Sequence, residues 1–190
     1  MNAPVQASDV IRHRFTVADV RSMVDIGVVD ADARIELIDG ALITMPADGP
    51  RHNDWTISLG RWLLNQLGEA YAVLPGSTVV LSDENAPKPD WCVFPAEVAT
   101  ADLRGPDILL AIEQADTSLA GDLGWKANLY ARHGVRDYWV IDLETQTIHV
   151  HREPSPNGYK SLRRHERDEP VEALLIPGLI LRTGALTRVA

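Results

Sequence analysis

Residues 106–142 read PDILLAIEQADTSLAGDLGWKANLYARHGVRDYWVID, and the expected fold grows outward from them. Ile108 to Ile112 is an apolar run without alternation, the pattern of a strand covered on both faces, and it stops at Glu113. A carboxylate therefore stands at the lip of a core. Thr117 or Ser118 can cap the start of a helix, and Gly134, following His133, can close it. Inside that helix Lys126 shares helical spacing with Leu119, Leu123 and Tyr130, which sets the lysine on the apolar stripe. A second apolar run, Tyr138 to Ile141, leads out through Asp142. Strand, helix, strand with this crossover length predicts a parallel pair.

At 190 residues and 45% hydrophobic content, the chain has the length of one domain with a large core. The expected division is a flexible N-terminal arm over residues 1–14 and a single domain over 15–190. The lone cysteine, Cys92, excludes an internal disulfide framework and a multi-cysteine zinc site. No stretch has the apolar length of a membrane span and MNAPVQASDVIRHRF lacks the apolar centre of a signal peptide, so a cytoplasmic protein is expected. The 27 acids against 18 bases leave a net charge of −9, which argues against sequence-independent coating of nucleic acid. It leaves room for a metal site, because clustered carboxylates are what hard divalent cations need.

Upstream, Thr16 and Asp19 are spaced as a capping pair with Phe15 and Val20 as a hydrophobic staple, predicting a helix over 17–26 that Gly27 ends. Arg34 to Ile43 reads as two short strands turned at Asp39-Gly40. Glu36 shares a strand face with Ile38, an unusual place for a surface acid, although pairing with Arg34 or Arg51 at a sheet edge is the simpler account. A helix follows Pro50, with Trp55, Leu59, Trp62, Leu63 and Leu67 at helical spacing; His52 in its first turn could approach an anion or a metal, although a surface or capping residue is the simpler reading. Next come a strand over 71–81, a breaker-rich segment over 82–89 and a strand from Asp90 to Phe94. Taken alone, Pro89-Asp90 is a capped turn. Beyond Asp142, Ile148 and Val150 alternate with His149 and His151, which turns the histidines toward solvent. Lys160, Arg163, Arg164 and Arg167 are interleaved with Glu166 and Asp168, a solvated segment rather than a nucleic-acid patch. Residues 174–181 predict a short terminal strand.

Taken in order, Glu36, Pro89-Asp90, Glu113 and Lys126 make a set. The chain resembles the Uma-type restriction endonuclease family, a bacterial branch of the PD-(D/E)XK nuclease superfamily. The resemblance lies in FTVADVRSMVDIGVVDADARIELIDGALITMPADGPRH, in PKPDWCVF and in IEQADTSLAGDLGWKANLYARHGVRDYWVIDLETQTIHVHREP, which together cover most of residues 15–154. It implies an α/β, restriction-endonuclease-like fold: a central mixed sheet flanked by helices. It also implies an active site that binds magnesium or manganese through Asp90 and Glu113, with the Gln114 main-chain carbonyl as a further ligand and Glu36 as a further site member. The superfamily's lysine stands two residues after the second acid, where this chain has Ala115. In the Uma-type branch the lysine is carried by the following helix, and Lys126 matches that position. Gln114-Ala115 is a second departure, since relatives show an aliphatic residue and a serine there.

These residue types suit phosphodiester hydrolysis, which needs a metal to polarise the phosphate and activate water, and a cation for the developing charge. Against this stands a plain surface reading, in which Asp122 and Lys126 are an i, i+4 helix pair worth about 0.3–0.5 kcal/mol. Two functions follow: a metal-dependent endonuclease (a hydrolase) acting on DNA, or an inactive nuclease-fold protein with a binding or regulatory role. The acids and lysine favour the first, and the charge of −9 favours the second. For the first, cutting both strands implies a symmetric homodimer, with Trp91 and Trp125 as surface candidates while Trp55, Trp62 and Trp139 go to the core.

Overall fold

Thr16 opens helix α1 (Val17–Asp25) through the expected capping box: its hydroxyl accepts from the Asp19 N–H, and the Asp19 carboxylate takes the Thr16 N–H. The computed structural model describes residues 13–186, so the expected N-terminal arm lies, apart from His13 and Arg14, outside the described residues. Strands β1 (Ile35–Ile38) and β2 (Ala41–Thr44) form a hairpin whose two turn residues, Asp39 and Gly40, have φ of 48° and 74°. Both lie in the left-handed region that a two-residue type I′ turn requires. Helix α2 (Pro50–Gln66) follows.

The central sheet has six strands in the order β3-β4-β5-β6-β7-β8: Tyr71–Pro75, Trp91–Pro95, Leu110–Ala115, Asp137–Asp142, Thr147–Ser155 and Gly158–His165. Only β5 and β6 are parallel, and every other neighbouring pair is antiparallel. The mixed sheet flanked by helices is thus the architecture the sequence implied, with the expected crossover between its two parallel strands. That crossover comprises α3 (Leu119–Gly121), a π turn over Asp122–Lys126 and α4 (Ala127–Arg132).

Alternation along the strands builds one core on each face of the sheet. Trp91, Val93, Ile112, Trp139 and Val150 meet α2 through Trp55, Leu59 and Leu63 on one side. Cys92, Ala111, Tyr138 and Val140 meet Ala127, Leu129 and Tyr130 of the crossover on the other, together with Ile38 of the hairpin. Gly60 allows α2 to lie close, since a Cβ there would come within 2.5 Å of the Trp91 ring.

Five expectations are corrected. The strand over 71–81 ends at Pro75, because Pro75-Gly76 turns the chain; Val79 and Leu81 instead bond to the carbonyls of Pro87 and Asn85. Strand β5 begins at Leu110 and runs past Glu113 to Ala115, all of it buried, because partners elsewhere in the chain satisfy its polar residues. Trp91 is buried on the α2 side, which leaves Trp125 as the exposed tryptophan of the proposed surface pair. The terminal segment forms a separate ribbon, β9 (Val171–Glu172) with β10 (Ile180–Leu181), packed on the α2-side core.

The fifth correction concerns the histidines. His149 and His151 do lie on the polar side of the β7 alternation, but α4 covers that side, so His149 is half-buried and His151 only 3% exposed. His151 packs against the rings of Tyr138 and Tyr159, which stack on each other, and neither of its ring nitrogens has a hydrogen-bond partner. Burial, reinforced by His149, pushes His151 down from 6.5 to about 4. Its folded pKa lies below its unfolded one, so the associated stability is complete above pH 6.5 and is lost as pH falls toward about 4. His151→Phe should lose about 1–3 kcal/mol less stability than the parent across that window, read by urea unfolding. Parallel stability curves for the two proteins would refute a buried neutral His151.

Candidate active site

Strand parity aims two of the expected acids at the same place. Asp90 shares the alternation of Cys92, and Glu113 that of Ala111 and Ala115, so both face the crossover side of the sheet. They belong to adjacent strands: β4 pairing ends at Trp91, and there the Asp90 carboxylate continues the ladder by accepting the Gln114 N–H at 2.6 Å. Glu36 arrives from the hairpin. Its Oε1 accepts the Lys88 N–H at 2.8 Å, which ties β1 to the segment leading into Asp90.

Lys126 joins these elements. Its Nζ lies 2.9 Å from Glu113 Oε1 and 3.2 Å from Glu36 Oε1, with all three side chains no more than 4% exposed. The Tyr130 hydroxyl donates to the same Glu113 oxygen at 3.0 Å. The simpler account of Glu36 is therefore overturned: Arg34 pairs with Asp48 and Arg51 with Asp116, leaving Glu36 to Lys126. The surface reading of Asp122 and Lys126 fails as well, because both are buried. Glu36, Asp90, Glu113, Gln114, Asp122 and Lys126 line one open cavity of about 400 Å³.

The lysine is delivered by the π turn. Five residues, Asp122 to Lys126, are wound more widely than an α-helix, and such turns concentrate at functional sites because they re-aim side chains. Wider winding needs outside partners for the backbone, and the Tyr138 hydroxyl donates to the Asp122 carbonyl at 3.0 Å from the neighbouring strand. Ser118, the expected helix cap, instead gives its hydroxyl to the Asp122 carboxylate.

The site holds more negative than positive charge. Burial pushes the Glu113 carboxyl well above the ordinary carboxylate range, Lys126 pulls it down, and Asp90, Asp122 and Glu36 push it up again. Burial works against charge on Lys126, but Glu113, Glu36 and Asp122 together outweigh it and hold the ammonium firmly protonated. Tyr130, raised by burial and the adjacent acids, is a neutral donor.

The structure thus brings Glu36, Asp90, Glu113, Gln114 and Lys126 into one cavity. Among the described residues, no three His, Cys, Asp or Glu side chains form a ready-made cation cage. Two participants escaped the reading of the sequence. Tyr130, assigned to packing, caps Glu113. His52, assigned to the surface, places Nε2 3.3 Å from Asp90 Oδ2, and although burial opposes its charge, Asp90 and then Asp48 raise its pKa. The available signal was its place in the first turn of the helix that enters the site.

A family model described as "Uma2: Putative restriction endonuclease" matches residues 21–184. The chain belongs to that family. A crystal structure described as that of "a putative nuclease belonging to DUF820", from Anabaena variabilis ATCC 29413, matches with a TM-score of 0.66 at 16% identity, covering 92% of this chain and 94% of that one. At that identity the likeness carries the fold. Among curated proteins no relative matches. No helix among the described residues is long and apolar enough to cross a membrane.

Tyr138→Phe tests the support of the π turn. Loss of its hydroxyl leaves the Asp122 carbonyl without that partner, and stability should fall by about 1–3 kcal/mol in urea unfolding. A smaller change than about 0.5 kcal/mol would mean that the turn stands without this bond.

Proposed function

We propose that this chain is a metal-dependent endonuclease that hydrolyses DNA phosphodiester bonds in the cavity around Glu113 and Lys126. The observation that carries this reading is the buried ammonium shared by Glu36 and Glu113 beside Asp90. A cation held between acids, at the floor of an open cavity, suits the anionic transition state of phosphoryl chemistry better than it suits packing.

The donor set fits a hard divalent ion. The buried acids outweigh the buried base, and Glu36 Oε2 is buried with no hydrogen-bond partner. Asp90 and Glu113, with the Gln114 main-chain carbonyl, would hold magnesium or manganese through oxygen, leaving other positions to water and phosphate as magnesium prefers. When bound, the ion would polarise the phosphate and lower the pKa of the attacking water. Tyr130 and Lys126 both occupy Glu113 Oε1, which frees Oε2 for the cation. Lys126 spends two N–H groups on Glu113 and Glu36, and the third remains for a phosphate oxygen or the water. Glu36, fixed by the Lys88 N–H, aligns the ammonium.

Titration calorimetry with manganese, beside cleavage of plasmid and single-stranded DNA, tests this. Asp90→Asn should lose most of the metal affinity. Lys126→Met should still take up the ion, at least as tightly as the parent, while single-turnover cleavage drops by about 10²–10³. Because Lys126 is buried between two acids, the metal-free variant should also be about 3–5 kcal/mol less stable, and manganese should restore part of the loss. Metal binding with no cleavage of any DNA in the parent would instead favour the binding or regulatory role.

Cleavage of both strands would further call for a homodimer. Trp125, 41% exposed, is the tryptophan available to such an interface. Sedimentation at micromolar concentration should show twice the 20.9 kDa chain mass, and a lone 20.9 kDa species would refute it.

A further inference from the structure

The side chain of Gln114 departs from the aliphatic residue expected at its position, and the structure gives it a complete set of partners. Its parity is that of Ile112, so it points away from the cavity floor toward α2, where it is 2% exposed. Oε1 accepts the Trp91 indole N–H at 2.6 Å. Nε2 donates to Thr56 Oγ1 at 3.0 Å and to the His52 carbonyl at 3.3 Å. Its main-chain N–H is the one held by Asp90. One residue therefore binds the strand that follows Asp90, the first turns of α2, and Asp90 itself.

We infer that Gln114 is a positioning residue of this site: its amide clamps the first turn of α2 so that His52 is seated against Asp90. Without the amide, its hydrogen bonds from β5 to that turn are lost, while Thr56 keeps its contacts within its own helix, to the His52 carbonyl and, at 3.4 Å, to His52 Nδ1. The His52 ring would then be free to leave Asp90 Oδ2, 3.3 Å away, and the Asp90 carboxylate would be directed by the Gln114 main-chain N–H without it. A satisfied buried network of this kind sets orientation more than it adds affinity, and partners one step removed from a metal ligand change metal affinity by about 10–100-fold. The inference rests on the proposed metal-binding role of Asp90 only for its second measurement.

The first measurement needs no metal. At a pH raised until the His52 signals stop moving, so that the imidazole is neutral, long-range ¹H–¹⁵N spectra of the parent should show His52 as the Nε2–H tautomer, held by Asp90. Gln114→Met, which keeps the shape but not the amide, should give a mixture of tautomers; Gln114→Asn, too short to reach α2, should do the same and serves if the first variant fails to fold. The second measurement is manganese affinity in a double-mutant cycle. Gln114→Met should weaken binding by about tenfold, and in a His52→Ala background it should weaken it no further, because the two act through one contact. A variant with a lower melting temperature but an unchanged tautomer and unchanged affinity would make Gln114 a packing residue and overturn the inference, as would losses that multiply in the cycle. If the parent binds no manganese, the proposed metal chemistry falls, and the tautomer measurement alone decides the role of Gln114.

Discussion

The ammonium of Lys126 between Glu36 and Glu113 is the contact on which the rest of this structure depends. Two acids and a base removed from water are costly unless each meets a partner in good geometry, and loss of one member leaves the others uncompensated. The fold meets that demand from three directions. Alternation along β5 points Glu113 at the crossover, the hairpin carries Glu36 in from the side, and the π turn brings Lys126 down from above. Tyr130 and the Lys88 N–H add one hydrogen bond each, to Glu113 and Glu36, and Glu36 Oε2 is left without one. Glu36, Glu113 and Asp122 face the one ammonium of Lys126, so buried acids outnumber the buried base there.

Much of this was legible because it is encoded locally. The Thr16–Asp19 capping box, the Asp39-Gly40 turn and the parallel crossover each depend on a few adjacent residues, and each formed as expected. The order of Asp90, Glu113 and Lys126 pointed to one cavity because strand ends and a crossover helix meet at one rim. What stayed hidden depends on distant partners. Nothing near His151 announces that α4 will cover its face, and nothing near Gln114 announces Trp91, so both polar residues read as solvent-facing or irregular. The π turn has no local signature either, since its stabilising hydroxyl comes from Tyr138 on the next strand. Glu36 marks the limit of a local reading: on its own strand two nearby arginines offered a simpler pairing, which Asp48 and Asp116 have taken, and it was the resemblance that set Glu36 among the site residues.

Those two arginines also bear on the net charge. Arg34–Asp48 and Arg51–Asp116 are partly exposed ion pairs beside the cavity, and pairs of this kind contribute only about 0–1 kcal/mol. A phosphate oxygen can replace a carboxylate on a guanidinium at little cost, and bidentate geometry suits both. Two of the acids counted in the net charge of −9 are thus held on these arginines.

The scattered origin of the site has a consequence during synthesis. Glu36, Asp90, Glu113 and Lys126 come from separate stretches of chain, and the helix that carries the lysine is supported by Tyr138 of β6. A nascent chain on the ribosome can have exposed all of its acids while the ammonium still lacks its support. The cavity is then expected to assemble only after β6 has emerged and docked beside β5, so an unfinished chain would carry these buried acids without the support of their ammonium.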